Sequence, residues 1–570
     1  MYRNYIKIAW RNIYRNKGFS ITNLTGLTIG MTCTILIMLW VKDELNWDGF
    51  HDNRKQVYKL LANRDFNGEI NTDISVPFPM ADALRTNFPE VKHSTVEDYG
   101  RDMVVAYNNS IMKKRAQTVG RDYFNVFHWK FVKGSAASAL SDPESIVLTE
   151  SMAKAIFGNE EPMGKLVKTD NADSRRVTGI IKDVPANSTL RFDCIIPFNY
   201  SDPFIRDATA DWVNCFTETY VELAPGTDKT LLEKKIRALQ QSHNAEQKAE
   251  YILYPMTDWR LYSDFKNGKN TGGMIEYVRL FSIIAVIILL IACVNFMNLY
   301  TARSEKRARE VGIRKTLGSE RRQLLWQFYC EAVIFSLMAF VLSLGLVMLV
   351  LPSFNQMIGK ELRLDITDPV FLSSALVLVL FTGLVSGSYP ALYLSSFSPV
   401  KVLKGTFLPG KKAALPRRVL VVLQFIISIF LISATILVYQ QIQHVKNRQL
   451  GYDPNNLISI PSSPEANKNA EVIHNELMQS NMVASVTRTS SPITDIWNYT
   501  PAPDYEGKPT NGNMIMTAMR TDADFAKTIG TRLVMGRDFD GSPSDSNSML
   551  LNKAAVELMQ LKEPLGRQMR

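Results

Sequence analysis

The chain has 570 residues, of which 46% are hydrophobic and 21% are charged, a composition that excludes disordered and collagen-like proteins. Five cysteines in 570 residues are too few for a disulfide-dense scaffold. Neither the cysteines nor the six histidines occur in a metal-binding spacing such as CxxC or HExxH. We therefore expect no metal site and no cofactor. The net charge of +10 alone would be compatible with nucleic-acid binding.

Five charge-free segments are long enough to cross a bilayer, which takes about 20 residues. The first is not a cleaved signal peptide, because its apolar run is too long and Lys42 follows it without a small-residue cleavage site. We predict that the third helix begins upstream of its charge-free run, so that it includes Glu331. The sequence thus predicts an α-helical membrane protein with spans at 19–41, 280–302, 324–351, 370–394 and 419–440.

Positive charge is concentrated in three short segments on one side of these spans. Residues 1–18 and 395–418 contain five and six Lys/Arg and no acid, and residues 303–323 contain eight Lys/Arg against three acids. By the positive-inside rule these segments are cytoplasmic and face anionic lipids, so nucleic acid is not an expected partner. The segments that then lie outside the membrane are 42–279, the loop 352–369, and 441–570.

The N-terminal segment 1–18 has an amphipathic helical pattern. Aromatic and aliphatic residues recur at helical spacing between basic residues, as in helices that lie on the inner membrane surface. The alternative is a basic flank that only sets the topology, and the sequence leaves both open.

Residues 42–279 have the mixed pattern of an α+β domain. Strand-like composition occurs at 57–61, 103–107, 145–148 and 176–181, and helical spacing occurs at 80–87 and 150–157. Asn67 and Gly68 are typical of a tight turn. Cys194 and Cys215 are the only cysteines in this translocated domain, where they would form either a disulfide or two buried thiols.

The cytoplasmic loop 303–323 contains a charge-rich helical pattern. Its apolar positions are Val311, Ile313 and Leu317. Gly318 is placed to end this helix in a left-handed conformation, and Ser319 is placed to cap the next helix. The residue order is more specific than a topology signal requires, so we expect the loop to do more than carry charge.

Glu331 is an ionisable residue inside the third predicted span. Acids within a membrane are functional candidates by default. A structural role, as an ion pair or as an acid that reaches the interface, and a role in coupling both remain open.

Residues 405–412 nearly match the phosphate-binding loop GxxxxGK[ST] of ATPases. The last position is Lys412, so the hydroxyl that would bind magnesium is missing, and Pro416 follows instead of a phosphate-binding helix. We interpret this segment as a basic linker and expect that the chain does not bind ATP in this manner.

The chain contains an internal repeat with an offset of about 400 residues. The aligned parts are 147–165 with 550–567, Asp122 with Asp524, Gly134 with Gly536, and the first span with the fifth. The second copy reaches the counterpart of about Lys168, so nothing in the sequence matches 169–398. We therefore expect a truncated chain, or a fragment, of a protein with eight spans.

Three groups of motifs resemble those of one membrane-protein family. EKRAREVGIRKTLG at 305–318, followed by Glu331, is similar to a cytoplasmic signature after a second span. The outer motifs are WDGFH at 47–51, FPEV at 88–91, PMG at 162–164 and VTGIIKDVPANS at 177–188, and the linker motif is SPVKVLK at 398–404. Together they resemble the MacB/FtsX-type (type VII) ABC transporter permeases, in the tandem-duplicated form.

This resemblance implies a domain order. It implies a MacB-like periplasmic core domain at 42–279, an FtsX-like permease domain at 280–400, and an incomplete second core domain at 441–570. It also implies a multi-pass protein of the bacterial inner membrane with large periplasmic domains.

The resemblance further implies a permease subunit that is not an enzyme. A separate cytoplasmic ABC ATPase dimer would drive motion of the periplasmic domains, for export or extraction of a substrate, and a periplasmic adaptor or outer-membrane protein is a further expected partner. The residues implied in ATPase coupling are Glu305, Arg307, Arg309, Glu310, Val311, Gly312, Ile313, Arg314, Lys315, Leu317 and Gly318. The alternatives are a mechanotransmission component that regulates periplasmic enzymes and a membrane-anchored sensor or receptor.

Overall fold

The computed structural model describes residue 11 and the ranges 17–245, 248–302, 311–395, 415–448, 450–495, 497–508 and 514–569. Within them, five helices are long and apolar enough to cross a membrane, which confirms the five predicted spans and the fold class. They are span 1 (Lys17–Leu45), span 2 (Met274–Ala302), span 3 (Arg321–Ile358), span 4 (Pro369–Ser395) and span 5 (Leu415–Lys446).

Span 3 extends well beyond the segment that the sequence predicted. The helix continues through Pro352 to Ile358 and ends at Gly359, which has the left-handed conformation with φ of 64°. A proline removes one main-chain hydrogen bond, and the rest of this long helix keeps its own. Residues 352–358 are therefore helical, although we predicted a loop over 352–369.

The first four spans pack closely where small residues face a neighbouring helix. A Cβ atom on Gly30 of span 1 would lie 2.6 Å from the Cβ of Ala292 on span 2. One on Gly383 of span 4 would lie 2.7 Å from Val333 on span 3. Small residues let membrane helices approach in this way, and the four spans enclose one buried apolar cluster that includes Phe296.

The outer domain between spans 1 and 2 is an α+β structure, as predicted. Its strands are β1 (Val57–Phe66), β2 (Glu69–Asp73), β3 (Val76–Pro77), β4 (Val91–Glu97), β5 (Arg101–Tyr107), β6 (Ser110–Val119), β7 (Phe131–Lys133), β8 (Ser145–Thr149), β9 (Leu166–Thr169), β10 (Asp173–Ile181), β11 (Cys194–Pro197), β12 (Cys215–Leu223) and β13 (Glu250–Pro255). They form a 13-stranded sheet whose main path runs β11-β8-β10-β9-β5-β6-β4-β12-β1-β13. A separate hairpin of β14 (Asp264–Lys266) and β15 (Lys269–Gly272) leads into span 2.

Six short helices accompany this sheet. They are α1 (Met80–Asn87), α2 (Tyr123–Val126), α3 (Ala136–Ala139), α4 (Glu150–Phe157), α5 (Pro203–Ala208) and α6 (Lys229–His243), with a 3₁₀ turn at Met256–Asp258. α1 and α4 have the bounds that helical spacing predicted. Met152 and Ile156 of α4 and Leu232 and Ile236 of α6 lie in the buried apolar clusters of the domain, so these helices cover the sheet.

Cys194 and Cys215 do not form a disulfide with each other. Cys194 is fully buried, and burial raises the pKa of its thiol to about 12. Nη2 of Arg64 donates a hydrogen bond to the sulfur of Cys215 at 3.1 Å. Of the two alternatives that the sequence left open, the structure shows two separate thiols, of which Cys194 is buried and Cys215 half-buried.

The second outer segment, which follows span 5, contains only short elements among its described residues. They are α7 (Pro464–Lys468), α8 (Ala470–Gln479), α9 (Phe525–Ile529), α10 (Lys553–Leu558), a 3₁₀ turn at Pro543–Asn547, β16 (Tyr499–Pro501) and β17 (Ile515–Thr517). The local features of the repeat recur, because Asp122 directly precedes α2 and Asp524 directly precedes α9.

Two predicted segments lie largely outside the described residues. They are the amphipathic helix at 1–18 and the cytoplasmic linker at 395–418.

Candidate functional site

The described part of the cytoplasmic loop begins at Val311, in a helical segment before span 3. Val311 is only 3% exposed and belongs to the same buried cluster as Tyr300, Phe328 and Leu394. A valine buried against three spans anchors the loop within the helical bundle. The sequence pattern identified Val311 as apolar but placed it with the residues of a partner surface.

The end of this segment has the predicted cap. Gly318 has φ of 93°, its N–H donates to the carbonyl of Lys315 at 3.1 Å, and the N–H of Ser319 donates to the carbonyl of Arg314 at 3.0 Å. These two bonds define a Schellman motif, in which a left-handed residue satisfies the last carbonyls of a helix.

The predicted cap of span 3 was wrong by one residue. Glu320, not Ser319, is the N-cap, and it forms a reciprocal capping box with Gln323. Ser319 is already engaged in the preceding motif, so the next residue with an acceptor side chain takes the position.

Basic side chains fix the loop to the ends of two spans. Nη1 of Arg314 donates to Oε1 of Gln327 on span 3 at 2.6 Å, and Nζ of Lys315 donates to the carbonyl of Ser395 on span 4 at 2.7 Å. Nε of Arg321 reaches the hydroxyl of the same serine at 3.4 Å. Arg314 and Lys315 therefore position the loop on the bundle.

Two apolar residues of the loop remain accessible. Ile313 is 46% exposed and Leu317 is 81% exposed, whereas Gly312 is buried. The N–H of Leu317 bonds to the carbonyl of Ile313 at 3.1 Å, so the two side chains lie one turn apart on one face. The other predicted coupling residues, Glu305, Arg307, Arg309 and Glu310, lie outside the described residues.

Glu331 lies on span 3 and faces span 2. It is 2% exposed, and the hydroxyl of Tyr300 on span 2 donates to its Oε2 at 2.9 Å. The ring of Tyr300 contacts Phe19, Phe296 and Phe328, which fixes its hydroxyl toward span 3. The carboxylate therefore links span 3 to span 2 within the apolar cluster.

A second cluster, which we call the outer joint, lies where span 1 enters the outer domain. It consists of Asp43, Glu44, Trp47, Arg260 and Lys360. Glu44 is 1% exposed, and Arg260 donates to both of its carboxylate oxygens at 2.9 and 3.1 Å. Nζ of Lys360 lies 2.7 Å from Glu44 and 2.5 Å from Asp43, and both cations lie over the ring of Trp47.

The outer joint connects three parts of the molecule. Glu44 ends span 1, Arg260 belongs to the outer domain, and Lys360 follows span 3. Removing one partner of a buried ion pair costs about 3–5 kcal/mol, because the remaining charge is left buried without its counterion. The sequence reasoning missed the joint. The only local signal was a pair of acids directly after an apolar run, and its two cations are remote in sequence.

Two family models match the chain. The model described as "MacB-like periplasmic core domain" matches residues 20–239, and the model described as "FtsX-like permease C-terminal" matches residues 282–399. The first match covers span 1 and most of the outer domain, and the second covers spans 2 to 4 with the cytoplasmic loop.

The chain is also similar in sequence to full-length proteins. The chain is 24% identical over 414 residues to "Macrolide export ATP-binding/permease protein MacB" of Salmonella choleraesuis (strain SC-B67), and 22% identical over 407 residues to the protein of the same name in Escherichia coli (strain K12). Each match covers 70% of this chain and 60% of the relative, so the chain spans well under two thirds of the relatives' length.

The outer domain also has a structural neighbour. A permease-protein domain from Porphyromonas gingivalis matches with 19% identity and a TM-score of 0.32, over 36% of this chain and 92% of that domain. That score is low, so the assignment rests on the family models and the relatives. They indicate a multi-pass protein of the inner membrane with its outer domain in the periplasm. With a MacB-like core domain followed by an FtsX-like domain, the chain belongs to the MacB/FtsX-type ABC transporter permeases.

Proposed function

We propose that this chain couples ATP hydrolysis by a separate cytoplasmic ABC ATPase dimer to movement of its periplasmic domains. The observation that supports this most directly is the exposed pair of Ile313 and Leu317 on a segment fixed to spans 3 and 4. A groove on a partner protein recognises apolar residues at positions i and i+4 of a helix. The pair is therefore the proposed ATPase contact.

Movement at this contact would reach the periplasm through the spans. Arg314 and Lys315 would pass it to spans 3 and 4, and the bond between Tyr300 and Glu331 would pass it to span 2. At the opposite end, the outer joint would pass movement of span 3 to span 1 and to the outer domain.

The proposed activity is export or extraction of a substrate, because the relatives are named for macrolide export. We propose that the chain is itself non-catalytic, since Lys412 stands where a nucleotide loop needs Ser or Thr. A periplasmic adaptor or outer-membrane protein completes the proposed assembly.

The double variant Ile313→Asp with Leu317→Asp tests the ATPase contact. The loop 303–323 keeps a net charge of +3, from eight Lys/Arg and five acids, so insertion should be unchanged. An unpaired charge buried in an interface costs several kcal/mol, so we expect at least about a tenfold loss of associated ATPase. The measurements are the amount of cytoplasmic ABC ATPase that copurifies with the membrane-inserted chain, and its hydrolysis rate.

The matched control is Thr316→Asp, which adds an acid at a neighbouring exposed position without removing an apolar side chain. It should retain the ATPase. Val311 is unsuitable for this test, because a charge there would disrupt the permease's own core. Wild-type amounts of ATPase on the double variant, or no ATPase on the wild-type chain, would contradict the proposal.

A further inference from the structure

The hairpin of β1 and β2 in the outer domain ends in a tight, open turn. Asn67 and Gly68 have φ of 59° and 87°, and Phe66 and Glu69 face each other across the ladder. Positive φ at both central residues is typical of two-residue hairpin turns, whose backbone twist matches that of the strands they join. A Cβ atom built on Gly68 would meet nothing within 4 Å, so the turn is accessible.

This turn contacts the second outer segment at two points. Nδ2 of Asn67 donates to the carbonyl of Ile515 at 3.2 Å, and the N–H of Ile515 donates to Oδ1 of Asn67 at 3.0 Å. The side-chain amide thus makes both main-chain bonds that an opposite residue makes in an antiparallel ladder. Beside it, the rings of Phe66 and Tyr499 stack with 5.9 Å between their centroids.

The surface that receives the turn is the second copy of a hairpin in the first domain. Thr500 of β16 faces Met516 of β17, and Met103 of β5 faces Lys114 of β6. In the repeat that aligns Asp524 with Asp122, Met516 aligns with Lys114. β17 is therefore the counterpart of β6, and β16 pairs with it as β5 pairs with β6, across a longer connection.

In the converse contact, a turn of the second outer segment would hold the hairpin of β5 and β6 in the first domain. The described residues of the second segment contain no such turn. The stretch that aligns with the start of β1 is 457–461, where Pro461 stands in place of Leu61, and α7 begins at Pro464. Proline interrupts strand pairing, and the helix occupies the position where β1 would continue to its turn. At the same offset Asn467 stands opposite Asn67, but it lies within α7, so no hairpin turn presents it.

We infer that the β1–β2 turn is a docking element by which the first outer domain holds the second, and that this contact is one-sided. Two identical domains related by a two-fold axis would make such a contact twice. In the described part of this chain the two outer domains make it once, so they are not equivalent. The inference does not depend on ATPase coupling, because both partners lie outside the membrane.

Cross-linking of the full chain in membranes tests the contact. A protease site is inserted within 405–410, and Phe66→Cys is combined with Tyr499→Cys. After treatment with bismaleimidoethane and cleavage, we expect the two halves to remain joined on a denaturing gel. The control is the converse pair, Asp102→Cys with Ala466→Cys, at the positions that correspond to Tyr499 and Phe66 in the other copy. It and the single variants should yield separated halves.

The variant Asn67→Gly tests the amide contact without disturbing the turn, since glycine adopts positive φ readily. Two hydrogen bonds are lost, so exchange of the Ile515 amide hydrogen should become about tenfold faster. Asn71→Ala, at an exposed position of the same hairpin, should leave it unchanged. The inference is wrong if the converse pair cross-links as well as the first pair, if the first pair does not cross-link, or if Asn67→Gly leaves exchange at Ile515 unchanged.

Discussion

The two outer segments share local sequence, yet among the described residues only the first builds a continuous sheet. Val147 in β8 is fully buried, whereas its aligned counterpart Leu550 is 36% exposed. The turns nevertheless recur, because Gly134 and Gly536 have φ of 84° and 81°. Turns and helix starts depend on a few neighbouring residues, whereas a strand depends on partners elsewhere in the chain.

The partners of β8 explain the difference. β8 runs parallel to β10 and antiparallel to β11, and both follow it in sequence. Among the described residues of the second outer segment, no strand pairs with the stretch around Leu550, so its side chain lies outside any sheet and stays partly exposed.

The largest expected effect comes from placing a charge in the aligned strands. Val147→Asp buries an unpaired carboxylate, which costs more than about 4 kcal/mol, so the first outer domain should unfold. Leu550→Asp should change stability by less than about 0.5 kcal/mol at its accessible position. Limited proteolysis of the two outer segments measures both, and equal sensitivity of the two variants would contradict the comparison.

The next effect concerns how each outer segment is attached to its span. Arg260→Gln leaves the buried carboxylate of Glu44 with one cation, and breaking such a pair costs about 3 kcal/mol, roughly a hundredfold in local opening. Amide exchange over 42–47 should accelerate accordingly. Arg448→Gln, at an exposed position after span 5, is the control and should change little. Unchanged exchange in the Arg260 variant would show that the outer joint does not hold the domain.

The elements that sequence predicted best are those fixed by local pattern. The bounds of α1 and α4 follow from helical spacing, and the spans follow from charge-free runs. The outer joint could not be predicted, because 216 residues separate Glu44 from Arg260. The loop shows the same limit. Its pattern identified Val311 and Leu317 as equally apolar, and only contact with three spans makes the first an anchor and leaves the second exposed.

The third effect is a pH dependence of the stability of the first outer domain, which arises from a carboxyl group buried in its sheet. Glu97 in β4 is buried, and this burial, reinforced by the nearby Glu218, raises its pKa well above the ordinary 4.5 despite Lys59. The folded state therefore keeps a proton that the unfolded state has lost. Stability should fall as pH rises above about 4.5 toward the folded-state pKa, by up to about 1.4 kcal/mol per pH unit.

Glu97→Gln removes this titration, so the slope of stability against pH should flatten by up to one proton. Chemical denaturation of the full chain at several pH values, followed by proteolysis of the first outer domain, measures the slope. Asp98 and Arg115 also face Glu97 and remain in both proteins, so they do not produce the difference. An unchanged slope would mean that Glu97 is not the group that titrates.

The smallest effect compares the aligned turns. Alanine at Gly134 or Gly536 should cost about 1–2 kcal/mol in either turn, because an L-residue is strained at positive φ. The atoms around each glycine then make the two substitutions differ in cost. A Cβ atom on Gly134 would lie 2.6 Å from the carbonyl oxygen of Thr178 in β10, whereas one on Gly536 would approach only the flexible end of Leu565, at 3.1 Å.

Main-chain atoms of a central strand cannot move aside as a side chain can, so Gly134→Ala should cost about 1–3 kcal/mol more than Gly536→Ala. Gly226→Ala is the control within the first domain, because it measures the cost of backbone strain without a steric clash. Its φ is 82°, and nothing lies within 4 Å of the added Cβ. Denaturant midpoints of the three variants measure the costs. The extra cost at Gly134 reports the presence of β10 beside the turn. If Gly536→Ala proved equally costly, the second turn would also be packed against a strand, and the contrast between the two outer segments would not hold at this position.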